Sequence, residues 1–387
     1  MAEADVFEEE TLLAAARAAA GLEDFGDESF RAGLRVLLET YAKTANFTEK
    51  GRRRYARRVV QLLATRLRVE AAWWRHPEIR ARAIRRPVFL TGLPRTGTSA
   101  LFNLLAADPA ARPLLLWEGV FPDPLEGLAP GEPDPRYLAL RDHYDRGREN
   151  NPDFTRIHYV GADTPEECVL LLAHAFCDVQ MGIEVLMEPY ASWFQRQDLR
   201  RAYAYYGDLL RTLDWQRPGE RWLLKSPAHL WALDVLLELF PDACIVLTHR
   251  DPVEAIASAC SLTDALMAVR ADHDRRALGP AVLEYYARSL ERGLAARERL
   301  DPRRFADVDY RELVADPLAA ARGVYARFDL PLPASASRAL EEHARANPQG
   351  RHGAHEYALA DYGLTPEAVR QRLAAYVERF GLGGGAA

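Results

Sequence analysis

The sequence predicts an α/β fold: a central parallel sheet with helices on both faces, preceded by an N-terminal helical extension. Three observations lead there. From Pro87 onward, short β-prone runs alternate with amphipathic helical patterns. Turns marked by glycine and proline separate them. Residues 1–86, in contrast, read as helical and are dominated by Ala, Leu, Glu and Arg. Strands joined through helices pair in parallel, and a parallel sheet is covered on both faces.

In chain order, Arg52 to Val69 carries apolar residues at helical spacing, with the basic run Arg52, Arg53, Arg54, Arg57 and Arg58 at its start. That run reads as a solvated face, with an anionic acceptor or a membrane surface as the alternative. Val88-Phe89-Leu90-Thr91 is the first strand, followed by a glycine-containing turn and a helix from Ser99 to Ala107. Residues 112–163 are rich in Pro, Gly and Asp with little periodicity, as expected of either a loop covering a substrate or a poorly ordered one. Thr164-Pro165-Glu166-Glu167 predicts a helix start with a capping box. Arg221 to Leu224 and Ala243 to Thr248 are two further strands. Helices follow them over His229 to Phe240 and Val253 to Leu262, the latter opened by Asp251-Pro252-Val253-Glu254. Phe305 to Val308 is the last strand. The division predicted is 1–86 as a helical extension packed on the core and 87–387 as the catalytic domain.

The totals exclude several classes. With 387 residues, 49% of them hydrophobic, the chain can bury a large core. Its net charge of -6 and the lack of any basic, aromatic-rich stretch argue against nucleic acid. Cys168, Cys177, Cys244 and Cys260 are scattered without a C-x-x-C pair, which reads as buried hydrophobes rather than disulfides or a metal site. The acidic start lacks the pattern of a signal peptide, and no apolar stretch is long enough to span a bilayer. A cytoplasmic protein without a membrane span is therefore expected. The sequence leaves a homo-oligomer open.

The most informative segment is Thr91-Gly92-Leu93-Pro94-Arg95-Thr96-Gly97-Thr98-Ser99. It joins a strand to a helix, so its backbone N–H groups and the helix start favour a bound phosphate. Arg95 adds a cation, and Thr96, Thr98 and Ser99 add hydroxyls. A Walker loop would need Lys where Thr98 stands. An NTP-dependent, P-loop kinase-like transferase is the alternative reading that this substitution weakens. Two more anchors sit at strand ends, where ligands of parallel sheets gather: Lys225 in Leu224-Lys225-Ser226-Pro227, and Arg250 in Thr248-His249-Arg250-Asp251-Pro252, with Ser258 eight residues on.

Taken together, P-R-T-G-T-S after a strand, the strand-end lysine and the Arg/Ser pair resemble the sulfotransferases, in particular the bacterial subgroup, over roughly Pro87 to Phe380. The resemblance implies a P-loop-like sulfotransferase architecture. It also implies sulfuryl transfer from 3′-phosphoadenosine 5′-phosphosulfate, as co-substrate, to a hydroxylated small-molecule or lipid-like acceptor. By that resemblance Gly92, Pro94, Arg95, Thr96, Gly97, Thr98 and Ser99 hold the 5′-phosphosulfate, and Arg250 and Ser258 the 3′-phosphate. Arg351, in a Gly-containing basic loop, closes over the 3′-phosphate. Arg95 and Lys225 act in catalysis, Lys225 on the bridging oxygen of the leaving group. No metal is implied, because a sulfuryl group carries less charge than a phosphoryl group. Two residues compete as base for the acceptor hydroxyl. Glu118, placed at the end of the next strand beside Trp117, is favoured by position. His229 is the rival, although it stands four residues beyond Lys225 rather than two. Trp117, Phe121, Phe154, Tyr159 and Trp193 are candidates to line the acceptor pocket.

Overall fold

The computed structural model describes residues 6–128, 132–150, 161–177, 186–268, 273–347 and 358–382. Its centre is a five-stranded, all-parallel sheet in the order β2-β3-β1-β4-β5. The strands are β1 (Val88–Gly92), β2 (Ala111–Pro113), β3 (Arg221–Lys225), β4 (Cys244–His249) and β5 (Phe305–Asp309). β1 lies between β3 and β4, with Phe89 opposite both Leu224 and Ile245 and Gly92 opposite Thr248. The ends of three central strands, carrying the glycine loop, Lys225 and Arg250, thus open on one edge.

Alternation along the strands separates two cores. Phe89, Leu224, Ile245 and Leu247 enter the larger apolar cluster, which also holds Leu13, Leu34 and Leu63 from the N-terminal helices. Val88, Leu90, Leu223, Val246 and Val308 face the other cluster, with Leu101 and Phe102. Those two belong to α4 (Thr98–Leu105), which follows the glycine loop. Burial of both faces explains why the strands read as near-continuous apolar runs.

The N-terminal helices are α1 (Glu9–Ala20), α2 (Phe30–Lys43) and α3 (Glu49–Arg75). α3 outruns the predicted Arg52 to Val69 at both ends. Thr48 caps it by accepting the Gly51 N–H at 3.1 Å, and its last turns are held by Trp73, whose indole donates to Thr212 Oγ1 at 2.8 Å. These helices bury Phe7, Tyr41 and Tyr55 in the cluster that backs the sheet. Among the described residues no helix is long and apolar enough to cross a membrane.

Three local expectations are corrected. Residues 112–163 are more structured than their composition suggests: they include the end of β2, α5 (Leu116–Val120) and a helix over Pro135–Asn150. Thr164-Pro165-Glu166-Glu167 opens no helix. The Thr164 hydroxyl donates to Gly161 O at 2.7 Å, Pro165 bridges Leu115, and Glu166 donates its N–H to Leu114 O at 2.8 Å. Those backbone groups are committed to the neighbouring strand extension, so the helix waits until Val169 and ends at Leu172. His229 to Phe240 is a 3-10 turn (Pro227–Ala232) followed by a helix (Leu233–Leu239), because Ser226 caps Ala228 N–H directly after the strand. The start at Asp251 holds: its carboxylate accepts the Val253 N–H at 2.8 Å and the helix runs Pro252–Ala268. Glu254 makes no capping box and pairs with Arg250 instead.

Candidate active site

The glycine loop is fixed by what its glycines make room for. Gly92 has φ +147° and its Cα faces Thr248, so that a Cβ would sit 2.6 Å from the Thr248 carbonyl oxygen. Gly97 has φ +88°, and a Cβ there would meet Leu313 at 2.7 Å. Arg95 between them also sits in the left-handed region, at φ +66°, a conformation that costs energy in a non-glycine residue. Thr96 is buried and ties the loop to the neighbouring strand: its Oγ1 donates to Leu93 O at 2.7 Å and lies 2.5 Å from Thr248 Oγ1. Pro94 is buried behind the turn, whereas Arg95 and Ser99 are exposed at its mouth. Thr98 is the first residue of α4.

Sequence-distant residues meet here. Arg95 Nε donates to Ser258 Oγ at 2.9 Å, which joins the loop to the helix after β4 across 163 residues. Arg250 Nη1 donates to the Arg95 carbonyl at 3.0 Å, its guanidinium lies 4.0 Å from the Tyr310 ring centroid, and it pairs with Glu254. Among the described residues, the buried Arg250 Nε has no hydrogen-bond partner. On the other side of β1, Lys225 Nζ donates to Ser99 Oγ at 3.0 Å and pairs with Glu167 Oε1 at 3.0 Å. The cleft therefore holds Arg95, Lys225 and Arg250 against the positive end of α4. That combination suits a ligand with several anionic groups.

The two candidates for the base lie elsewhere. Glu118 is in α5 rather than at a strand end, and it is 1% exposed. Arg112 grips it in two bonds of 2.7 and 2.8 Å, Arg217 Nε adds a third at 2.9 Å, and the Leu115 N–H a fourth at 3.0 Å. A carboxylate held this way is a structural counter-ion, not one poised to take a proton from a substrate. His229 is also fully buried, set edge-on to Phe89 and bonded through Nδ1 to Tyr203 OH at 3.1 Å. Burial pushes its imidazole down to about 3, so it stays neutral in the core. The shift of two residues relative to the family spacing puts it on the inner side of the 3-10 turn. Arg351, Phe154 and Tyr159 lie outside the described residues.

Glu167 is the acid at the site that the sequence reading missed. It precedes Cys168, whose N–H donates to the Lys225 carbonyl at 2.9 Å, and this strand-end contact brings Glu167 beside the lysine. Its neighbour Glu166 accepts the Glu167 N–H at 2.9 Å. Burial, and then the like charge of Glu167, hold the Glu166 carboxyl above the usual range, against the pull of Lys225. A visible signal existed: two adjacent acids directly before the longest apolar stretch of the chain have no reason to be there as surface charge. Cys168 itself is inert, its thiol pushed up to about 12 by burial.

A doubly covered parallel sheet with a glycine loop and three cations at its strand ends suits a ligand with several anionic groups. Comparison with known proteins narrows the class. The model of the sulfotransferase family matches residues 87–334, and the chain belongs to that family. The crystal structure of sulfotransferase STF1 from Mycobacterium tuberculosis H37Rv is 36% identical, with a TM-score of 0.84 over 96% of this chain and all of that one. STF9 from Mycobacterium avium is 30% identical, with a TM-score of 0.89 over 99% of each chain. The N-terminal helices are thus shared with these relatives although the family model begins at residue 87. Omega-hydroxy-beta-dihydromenaquinone-9 sulfotransferase Stf3 of Mycobacterium bovis is 33% identical over 113 residues, a match spanning 28% of each chain. Membership displaces the NTP-dependent alternative.

Proposed function

We propose that this protein transfers the sulfuryl group of 3′-phosphoadenosine 5′-phosphosulfate to a hydroxyl of a lipid-like acceptor. The observation that carries the reading is the convergence of Arg95, Ser258 and Arg250 on one side of the loop with Lys225, Ser99 and Glu167 on the other. The loop from Gly92 to Ser99 cradles the 5′-phosphosulfate, and Arg250 with Ser258 takes the 3′-phosphate. Donor binding exchanges the Arg95–Ser258 and Lys225–Ser99 contacts for contacts to the anion. Residues 1–86 act as a helical extension of the catalytic domain that backs the sheet.

Glu167 serves as base. The acceptor oxygen forms the new S–O bond as its proton passes to the Glu167 carboxylate, and the bond from sulfur to the bridging oxygen breaks. Lys225 and Arg95 stabilise the charge that grows on the departing phosphate oxygens, an interaction stronger in the transition state than in the ground state. Glu166 sits behind Glu167 and accepts its N–H at 2.9 Å, with its own carboxyl held above the usual range by burial. The lipid-like acceptor is supported by the partial match to the menaquinone-type sulfotransferase.

The test is transfer of labelled sulfate from the donor to a panel of hydroxylated isoprenoid and quinone lipids, compared with short soluble alcohols. Sulfated lipid with release of 3′-phosphoadenosine 5′-phosphate supports the reading. Sulfation confined to soluble alcohols would remove the lipid, and no transfer to any hydroxyl would remove the activity.

A further inference from the structure

The start of α3 has a feature that neither the donor site nor the core explains. Residues 49–58 hold six cations (Lys50, Arg52, Arg53, Arg54, Arg57 and Arg58) against one carboxylate, Glu49, in a chain whose net charge is -6. Gly51, Tyr55, Val59 and Leu62 are buried on one side of the helix, while Lys50, Arg53, Arg54 and Arg57 are exposed on the other. Glu49 pairs with Arg53 at 2.8 Å; among the described residues Lys50, Arg54, Arg57 and Arg58 have no acidic partner. Some exposed arginines elsewhere do hold a carboxylate. Arg303 pairs with Asp301, Arg322 with Glu341, and Arg200 with both Asp198 and Glu238.

The position of the stripe gives it a use. Tyr144, in the helix over Pro135–Asn150, lies within electrostatic reach of Arg54, Arg58 and Glu166. Glu166 is bonded to Glu167, and Glu167 to Lys225. Among the described residues, the buried Arg58 Nε has no hydrogen-bond partner. The basic row is thus linked through Tyr144 to the Glu166–Glu167 side of the cleft.

We propose that the exposed stripe Lys50, Arg53, Arg54 and Arg57 docks the protein on an anionic bilayer, so that a lipid acceptor meets Lys225 and Glu167 without leaving the membrane. The proposal rests on the lipid-acceptor reading above. Attraction of basic residues to an anionic leaflet is worth roughly fivefold in partitioning per cation and decays within a Debye length. Four cations on a rigid helix thus give reversible, salt-sensitive attachment rather than insertion.

The full chain is sedimented with sucrose-loaded vesicles of phosphatidylcholine, with or without about 30 mol% phosphatidylglycerol. At low salt the protein partitions onto the anionic vesicles at least tenfold more than onto neutral ones, and added salt removes the difference. The triple variant Lys50→Glu/Arg54→Glu/Arg57→Glu loses that tenfold, whereas the charge-matched control Arg200→Glu/Arg303→Glu/Arg322→Glu keeps most of it. Equal binding to both vesicle types, no binding to either, or equal loss in both variants overturns the proposal. Titration of the triple variant with 3′-phosphoadenosine 5′-phosphate separates the two readings. Nucleotide binding unchanged from wild type shows the variant is folded, and failure of the wild type itself to bind nucleotide counts against the donor site, not against the surface.

Discussion

At the scale of single residues the site assigns different work to three carboxylates. In the proposed mechanism Glu167, against Lys225, is the base; Glu167→Gln is then expected to lower kcat by about 10²–10⁴-fold while binding of 3′-phosphoadenosine 5′-phosphate stays within a few-fold, as pre-steady-state rates and titration would show. Glu166→Gln removes the carboxyl that accepts the Glu167 N–H and is expected to lower kcat less than Glu167→Gln in the same assay. Glu118 is a structural counter-ion. Glu118→Ala strands Arg112, itself 3% exposed, without its partner, and is expected to cost about 3–5 kcal/mol of stability, read from denaturant unfolding. Retained stability with lost chemistry would return Glu118 to the role that its place in the sequence suggested. The sequence could place Glu118 beside Trp117, but Arg112 and Arg217 come from β2 and from the chain just before β3. A long-range ion cluster of that kind leaves no local pattern to read.

At the scale of elements, the segments that were legible are those where local chemistry and tertiary context agree. Val88 to Gly92 is a buried apolar run that ends in a glycine loop, and Asp251-Pro252 starts a helix. Where the backbone is recruited by a distant strand, as at Thr164 to Glu167, the capping pattern misled. The glycine loop yields its own prediction. Gly97→Ala forces a Cβ into Leu313 at φ +88° and costs roughly 1–2 kcal/mol of local strain. Nucleotide affinity is therefore expected to fall before global stability does, as titration and thermal melting together would show. The buried histidines give a pH signature. His229 is pushed down to about 3 and His174 to about 4, both by burial. The folded state thus refuses protons that the unfolded chain accepts near pH 6.5. Stability from this source is complete above that pH and is lost progressively as pH falls from about 6.5 toward 4. His229→Phe flattens part of that slope in melting temperature against pH, provided the ring fits among Phe89, Tyr203 and Tyr206. An unchanged slope in a folded variant would mean His229 is protonated in the native state.

At the scale of the whole molecule, the parallel sheet brings Arg95 and Ser258, 163 positions apart, into one cleft, and the N-terminal helices back that sheet while presenting a basic rim. The loop, Lys225, Arg250 and Ser258 were readable, since each carries a motif. Glu167 was not, because its place beside Lys225 depends on the Cys168 N–H reaching the Lys225 carbonyl, a contact with no local pattern. The most direct test of the central claim is calorimetric titration of the protein with 3′-phosphoadenosine 5′-phosphate, with ATP and Mg²⁺ in parallel. The account predicts saturable bisphosphate binding that weakens by about 10- to 100-fold in Arg95→Ala and in Arg250→Ala, each variant losing a charge-assisted contact. Affinity for ATP with Mg²⁺ and none for the bisphosphate, or bisphosphate binding untouched by either substitution, would contradict it.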